Sequence, residues 1–76
     1  MKELLEYILK GIVDDYSTVQ VEEEFEEPDV VVYRIIADDS QKGGIIGREG
    51  RTIKSIRNIL GIKAVKEGKK VFVKVD

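Results

Sequence analysis

The sequence predicts a small two-layer α+β domain in which helices cover one face of a three-stranded sheet. Apolar spacing and turn residues divide the chain in the order helix, strand, strand, helix, helix, strand. A sheet with an apolar face must bury that face against another layer, which the helices supply. A chain of 76 residues holds one modest core, so we expect residues 1–76 to form a single domain.

The first element is predicted to be a helix over residues 2–15. Carboxylates are unfavourable at the C-terminal end of a helix, so Asp14 and Asp15 are expected to stop it there. The residues that recur at helical spacing and form its apolar face are Leu4, Leu5, Ile8, Leu9, Ile12 and Val13.

A hairpin is predicted next. Residues 18–25 alternate between apolar and polar side chains, and residues 30–37 are rich in β-branched residues. The turn between them, residues 26–29, contains Pro28, which cannot donate to a strand ladder. Alternation in the second strand places Val31, Tyr33 and Ile35 on one face.

Two helices and a strand complete the prediction. Residues 38–40 offer capping side chains for a short helical turn over 41–46, which ends at Gly47. The next helix begins at Arg51 and extends to between Leu60 and Lys66, with Ile53, Ile56, Leu60 and Ala64 facing the core. After a turn at 67–70, residues 71–75 form the last strand, with Val71, Val73 and Val75 on one face.

The composition argues against several classes of function. With no cysteine and no histidine, the chain lacks disulfides, thiolate ligands and the commonest acid–base group. Because no nucleophile–base pair can be assembled, we expect no enzyme activity and no small-molecule substrate. We also expect no metal and no cofactor. The acidic run Glu22–Glu27 does not suit a metal, since alternation places Glu23 opposite Glu22 and Glu24. Without a membrane-length apolar run or a signal peptide pattern, we expect a soluble, cytoplasmic protein.

Charge is divided unequally along the chain. The net charge is −2, but residues 1–39 carry three basic and twelve acidic side chains, whereas residues 40–76 carry ten basic and three acidic ones. A charged stretch is often only a solvated face. Here the basic half surrounds a glycine loop, Gly47-Arg48-Glu49-Gly50, which favours an anionic partner.

The glycine loop has the chemistry of a phosphate site. Glycine has no Cβ, so the backbone at Gly47 and Gly50 can turn tightly and approach another chain closely. The free amides and positive dipole end of the following helix attract an anion. Arg48 adds a planar fork of donors that matches phosphate oxygens.

This loop, placed between the fourth and fifth elements, resembles the Gly-x-x-Gly loop of KH domains, which bind single-stranded RNA or DNA. The type I fold carries an extra strand and helix after the last strand. None is predicted here, so the resemblance favours the type II fold. That fold implies a mixed sheet with a parallel last strand. Ile46, Ile53, the N-terminal helix and Lys66–Lys70 make the whole chain similar to the small stand-alone bacterial KH proteins. Those proteins bind RNA and form homodimers, or heterodimers with a larger KH-containing RNA-binding protein.

The resemblance implies a protein that binds single-stranded RNA by clamping the nucleic-acid backbone over the loop, with single-stranded DNA as the alternative ligand. It also implies the role of a small RNA chaperone or post-transcriptional regulator. Arg51, Lys54 and Asn58 share one helix face and extend the loop as a polar stripe. Ile45 and Ile46 are expected to form an apolar floor for bases. The full set of expected RNA-binding residues is Lys42, Gly44, Ile45, Ile46, Gly47, Arg48, Glu49, Gly50, Arg51, Lys54, Arg57 and Asn58.

Two departures and two alternatives accompany this hypothesis. Gly44 stands where many relatives have a basic residue, and Glu49 brings a carboxylate near the expected phosphate. The loop alone could be a simple helix–helix turn. The alternative function is a protein-interaction module that dimerises and has weak or lost RNA binding. RNA affinity that falls steeply with salt would discriminate between them.

A dimer contact is predicted on the long helix. Ile59 lies roughly 90° from the centre of the core face at about 100° per residue, so it sits at the flank of the core. The implied dimers then suggest a two-fold contact formed by Ile59 and Ile62, with Ile56 as a further contributor.

Overall fold

A three-stranded sheet forms one layer of the protein and three helices form the other, in a computed structural model that describes all residues from Met1 to Asp76. The element order confirms the predicted α+β class and is consistent with a type II KH fold. The bounds are α1 Lys2–Lys10, β1 Gln20–Glu27, β2 Val30–Ile36, α2 Asp39–Ile46, α3 Arg51–Lys66 and β3 Lys70–Val75.

The sheet is mixed and has β2 at its centre. β1 pairs with β2 antiparallel through the hairpin, and β3 pairs with β2 parallel. A parallel pair needs a long crossover, which α2 and α3 provide. In the shared register, Tyr33 lies between Glu23 and Val73, which fixes which side chains share a face.

The helices cover the face of the sheet that carries Tyr33, Ile35 and Val73. Each fully buried Leu or Ile side chain contributes about 1.5–3 kcal/mol by leaving water. The Tyr33 hydroxyl donates to the Glu23 carboxylate at 2.7 Å. Burial of the hydroxyl raises the pKa of Tyr33, and the hydrogen bond to Glu23 raises it further. The core cluster consists of Leu5, Leu9, Val19, Val31, Tyr33, Ile35, Ile45, Ile53, Ile56, Leu60 and Val73.

The first helix is shorter than predicted. It ends at Lys10, not Asp15, because Gly11 N–H bonds back to the Ile8 carbonyl and closes the last turn. Asp15 instead caps a 3-10 turn at Tyr16–Thr18 by accepting a hydrogen bond from the Ser17 amide at 3.1 Å. This turn also delays the first strand, which begins at Gln20 and not at residue 18.

Other boundaries move by one or two residues. β1 continues to Glu27 through a bulge between Phe25 and Glu27. α2 begins at Asp39, since the Asp38 carbonyl already accepts from the amides at 41 and 42. β3 begins at Lys70, whose amide donates to the Asp29 carbonyl at 2.7 Å. α3 extends the full distance to Lys66.

The acidic residues of β1 divide between the two faces of the sheet, as the alternation predicted. Glu23 accepts from Tyr33 on the helix side, whereas Glu22 lies 3.9 Å from Arg34 on the open side. No three carboxylates are grouped so that they could hold a metal ion. None of the helices combines the length and apolar character that a membrane crossing requires.

Candidate nucleic-acid interface

The Gly47–Gly50 loop joins α2 to α3 and contains three residues with a positive φ. Gly47 has φ 78° and ψ 173°, Glu49 has φ 57°, and Gly50 has φ 74°. Gly47 closes α2 by donating to the Gly43 carbonyl at 2.8 Å, and Gly50 directly precedes α3. One short turn therefore joins the two helices, and Arg48 and Glu49 within it are exposed.

The two glycines are required for different reasons. A Cβ added to Gly47 would collide with Thr52, because it would lie 2.6 Å from the Thr52 Cβ and 2.8 Å from the Thr52 backbone nitrogen. A Cβ on Gly50 would meet nothing within 4 Å, so only its left-handed φ favours glycine there. Gly47 thus allows close packing of the loop on α3, whereas Gly50 only permits the turn.

Glu49 is the only non-glycine residue with a positive φ. Such a conformation is disfavoured for a residue with a Cβ and marks a position held by its surroundings. Its carboxylate lies 3.6 Å from the Arg51 guanidinium, and the two side chains are 74% and 78% exposed. An exposed pair of this kind contributes about 1 kcal/mol or less, so it holds neither side chain firmly.

The amides expected to be free at the start of α3 are partly occupied, since Arg51 donates to the Arg48 carbonyl and Gly50 to the Gly47 carbonyl. Gly50 at its N-cap supplies no side-chain acceptor, and the turn contains no acidic residue. The positive end of the helix dipole is therefore not neutralised from within the helix. Arg51, Lys54 and Asn58 are exposed along the same helix, so the predicted polar stripe lies at the surface.

The two isoleucines expected to form a floor for bases lie in different environments. Ile45 is fully buried in the core and cannot contact a base, so its expected role is wrong. Ile46 is 39% exposed beside the loop and remains available as an apolar surface.

Gly44, two residues before Ile46, is exposed. A Cβ there would meet only the Ile12 side chain at 3.9 Å, so a larger residue would be tolerated.

Two predicted basic residues are engaged with other parts of the chain. Lys42 pairs with Asp39 at 3.4 Å, toward the start of α2. Arg57 donates from Nε and Nη2 to the Val73 carbonyl at 3.2 and 3.1 Å, which ties it to β3. Both were expected to add positive charge near the loop, and both side chains have partners within the chain.

The predicted dimer residues also separate. Ile56 is 1% exposed and belongs to the core, so a partner cannot reach it and its expected role in an interface is wrong. Ile59 and Ile62 are 45% and 63% exposed, as the helical angles indicated for Ile59.

Sequence reasoning missed a groove between α3 and the outer edge of β3. An open depression of about 730 Å³ lies on α3 and a second one of about 310 Å³ lies along β3, and Arg57 lines both. The parallel crossover creates this groove, so its position is not a local property of the sequence. The one local signal was the alternation of Lys70, Phe72 and Lys74 on the last strand. The linings are Arg57, Asn58, Gly61, Ile62, Val65 and Lys66 on α3, and Arg57, Val71, Phe72, Val73 and Lys74 on β3.

Comparison with known proteins supplies an independent line of evidence. A family model described as KhpA/KhpB, KH domain, matches residues 2–75. RNA-binding protein KhpA of Thermotoga maritima is 43% identical over 75 residues, covering 99% of this chain and 97% of its own. The protein of that name from Clostridium acetobutylicum is 40% identical with 99% of both chains covered, and that from Chlamydia trachomatis is 37% identical with 99% and 95% covered. No solved structure matches the chain significantly.

Proposed function

The chain belongs to the KhpA/KhpB family of KH domains, and from that membership we propose that it binds single-stranded RNA by clamping the backbone over the Gly47–Gly50 loop. Relatives covering the whole chain are named RNA-binding proteins, which supports RNA as the ligand. The observation that supports the loop assignment is Gly47, where the absence of a Cβ lets the loop pack closely on Thr52 of α3 while Arg48 and Glu49 stay exposed.

In this proposal, the loop and the residues along α3 contact different parts of the RNA. Arg48 and the positive end of the α3 dipole hold phosphate oxygens. Glu49 leaves Arg51 when the RNA binds, which frees the guanidinium for a phosphate. Lys54 continues the electrostatic contact one turn further along, and Asn58 contacts a base edge. Ile46 lies under the first base as an apolar surface.

At the cellular level, we propose the role of a small RNA chaperone or post-transcriptional regulator. A domain that holds single strands and performs no chemistry changes which RNA segments are free to pair. Ultraviolet crosslinking in cells, followed by recovery of RNA attached to this chain, tests the proposal. Recovery of no RNA above that of the Arg48→Asp/Glu49→Asp variant would contradict it.

The Lys54→Ala variant is expected to weaken binding to all RNA sequences similarly. Because a phosphate contact is lost, the slope of log affinity against log salt should fall by about one unit. Filter binding with several RNA sequences over a salt series measures both quantities. A loss confined to one sequence would show that Lys54 reads a base and does not neutralise a phosphate.

Asn58→Ala provides the matched comparison one turn away on the same stripe. Its amide can pair with a base edge, so we expect a sequence-selective loss and no change in the salt slope. An equal loss for every sequence would contradict base readout by Asn58.

A dimer is the second function that a specific observation favours. Ile59 and Ile62 are exposed apolar residues on α3, on a helix that also carries the RNA stripe. We propose that they form a two-fold contact with a second copy, or the corresponding contact with a larger KH-containing RNA-binding protein. Two joined loops would engage one RNA strand with added avidity.

Ile59→Lys is expected to give a folded monomer, because a charge at this contact would be desolvated in the dimer. The control is Tyr7→Lys, since Tyr7 is a 77% exposed residue on α1. Sedimentation of the wild type and both variants over a concentration series measures the outcome. A monomeric wild type at high concentration, or an Ile59→Lys dimer, would rule out this interface.

A further inference from the structure

Phe72 is an exposed aromatic residue on β3, one of the two edge strands of the sheet. Its side chain is 51% exposed, whereas its neighbour Val73 is 3% exposed and faces the helices. Because alternate side chains of a strand point to opposite faces, Phe72 faces the open side of the sheet, beside Val32 in the register. No helix covers this ring.

The neighbours of Phe72 along β3 are basic. Lys70 and Lys74 lie two residues away on either side and share its face, so each Cα is roughly 7 Å from that of Phe72 along the strand. Phe72, Lys74 and Arg57 line the same depression along the edge of β3. Arg57 also lines the depression on α3 beside Asn58, so a continuous surface leads from the polar stripe to the ring.

Phe25, the other phenylalanine of the chain, has a similar exposure of 56% but an opposite setting. It lies on β1 between Glu24 and Glu26, and the Lys69 ammonium is 5.8 Å from the centre of its ring. A polyanion is repelled from that strand, while it is attracted to β3. The ring of Phe72 therefore combines an open face with cations on both sides.

We propose that Phe72 stacks a base of the RNA strand beyond the nucleotides held by the loop, with Lys70 and Lys74 neutralising the adjacent phosphates. This inference rests on the proposed function and extends it from a clamp of about four nucleotides to a longer site. The strand passes from Asn58 across the Arg57 groove to the outer face of β3. Since every base has a flat face, stacking here adds affinity with little sequence preference.

The length of the RNA provides the test. Fluorescence anisotropy measures the affinity of the wild type for labelled oligonucleotides of about four nucleotides and of about twice that length. We expect Phe72→Leu to bind the longer oligonucleotide about tenfold more weakly than the wild type and the short one within about twofold. Phe72→Tyr, which keeps a flat ring, should behave as the wild type, and so should the matched control Phe25→Leu.

Each other outcome decides against the inference. Unchanged affinity of Phe72→Leu for the longer RNA, with binding still lost in the Arg48→Asp/Glu49→Asp variant, overturns the stacking site and leaves the loop proposal standing. A wild type that binds neither oligonucleotide overturns both. A change in sedimentation of Phe72→Leu without RNA assigns the face to a protein contact instead.

A measurement on the wild type makes the test independent of how the variants fold. Ultraviolet crosslinking to the longer oligonucleotide, followed by mass spectrometry of the digested protein, is expected to recover the β3 peptide with RNA attached at Phe72. Crosslinks that occur elsewhere and leave this peptide free would overturn the inference.

Discussion

Replacing Arg48 and Glu49 with two aspartates is expected to lower the affinity for single-stranded RNA by roughly 100-fold. Loss of a charge-assisted hydrogen bond costs about 1.5–3 kcal/mol, and a carboxylate beside a phosphate adds repulsion of about 1 kcal/mol in water. The fold should be unchanged because both side chains are exposed. Aspartate also tolerates the left-handed conformation at position 49. Filter binding at moderate salt measures the affinity.

Lys2→Asp is the control for this variant. It lowers the net charge by the same amount, but on the first residue of α1 and not in the loop. If long-range charge alone determined affinity, the two variants would weaken binding equally. Unchanged affinity of the folded double variant would show that the loop is not the RNA site.

The Gly47→Ala variant is expected to lose about 3 kcal/mol or more of the free energy of unfolding. A methyl group would collide with Thr52, including its backbone nitrogen, so α3 or the loop must shift. The glycine-only conformation at this position adds a cost of order 1–3 kcal/mol. For a domain of this size the midpoint of thermal unfolding should fall by about 15 °C.

Gly50→Ala serves as the comparison, because a methyl group there meets nothing and only the left-handed φ is penalised. We expect a loss of about 1 kcal/mol, or about 5 °C in the midpoint. Circular dichroism melts of both variants distinguish the two roles. Equal losses would mean that Thr52 moves aside easily and that close packing of the loop on α3 is unimportant.

The element types and their order could be predicted because apolar spacing is a local property of the chain. The alternation that placed Val31, Tyr33 and Ile35 on one face is confirmed, and so is the core face of α3. The predicted end of α1 was wrong because Ile12 and Val13 continue the apolar spacing past Lys10. Both residues pack against the core, but they do so from the loop that follows α1 and not from the helix itself.

The candidate site could be predicted only where it is contiguous in sequence. The loop and the polar stripe follow each other along the chain, so spacing identified them. Ile45 could not be separated from Ile46, because α2 has too few apolar residues to define a face. The attachment of Arg57 to Val73 and the groove beside Phe72 depend on the crossover that brings β3 alongside β2.

The distribution of charge acquires a meaning in the fold that the net charge of −2 conceals. The acidic β1 lies at one edge of the sheet and the basic β3 at the other, with β2 between them. A polyanion approaching the domain is therefore directed toward the edge that faces α3.

Backbone amide shifts of the isotopically labelled protein during titration with single-stranded RNA test the central proposal most directly. We expect the largest changes at residues 47–50, in the first turn of α3 and at Lys54 and Asn58. The amides of β1 should stay nearly unchanged. Changes confined to α1 or β1, with the loop amides unaffected, would contradict the assignment of the loop as the RNA clamp.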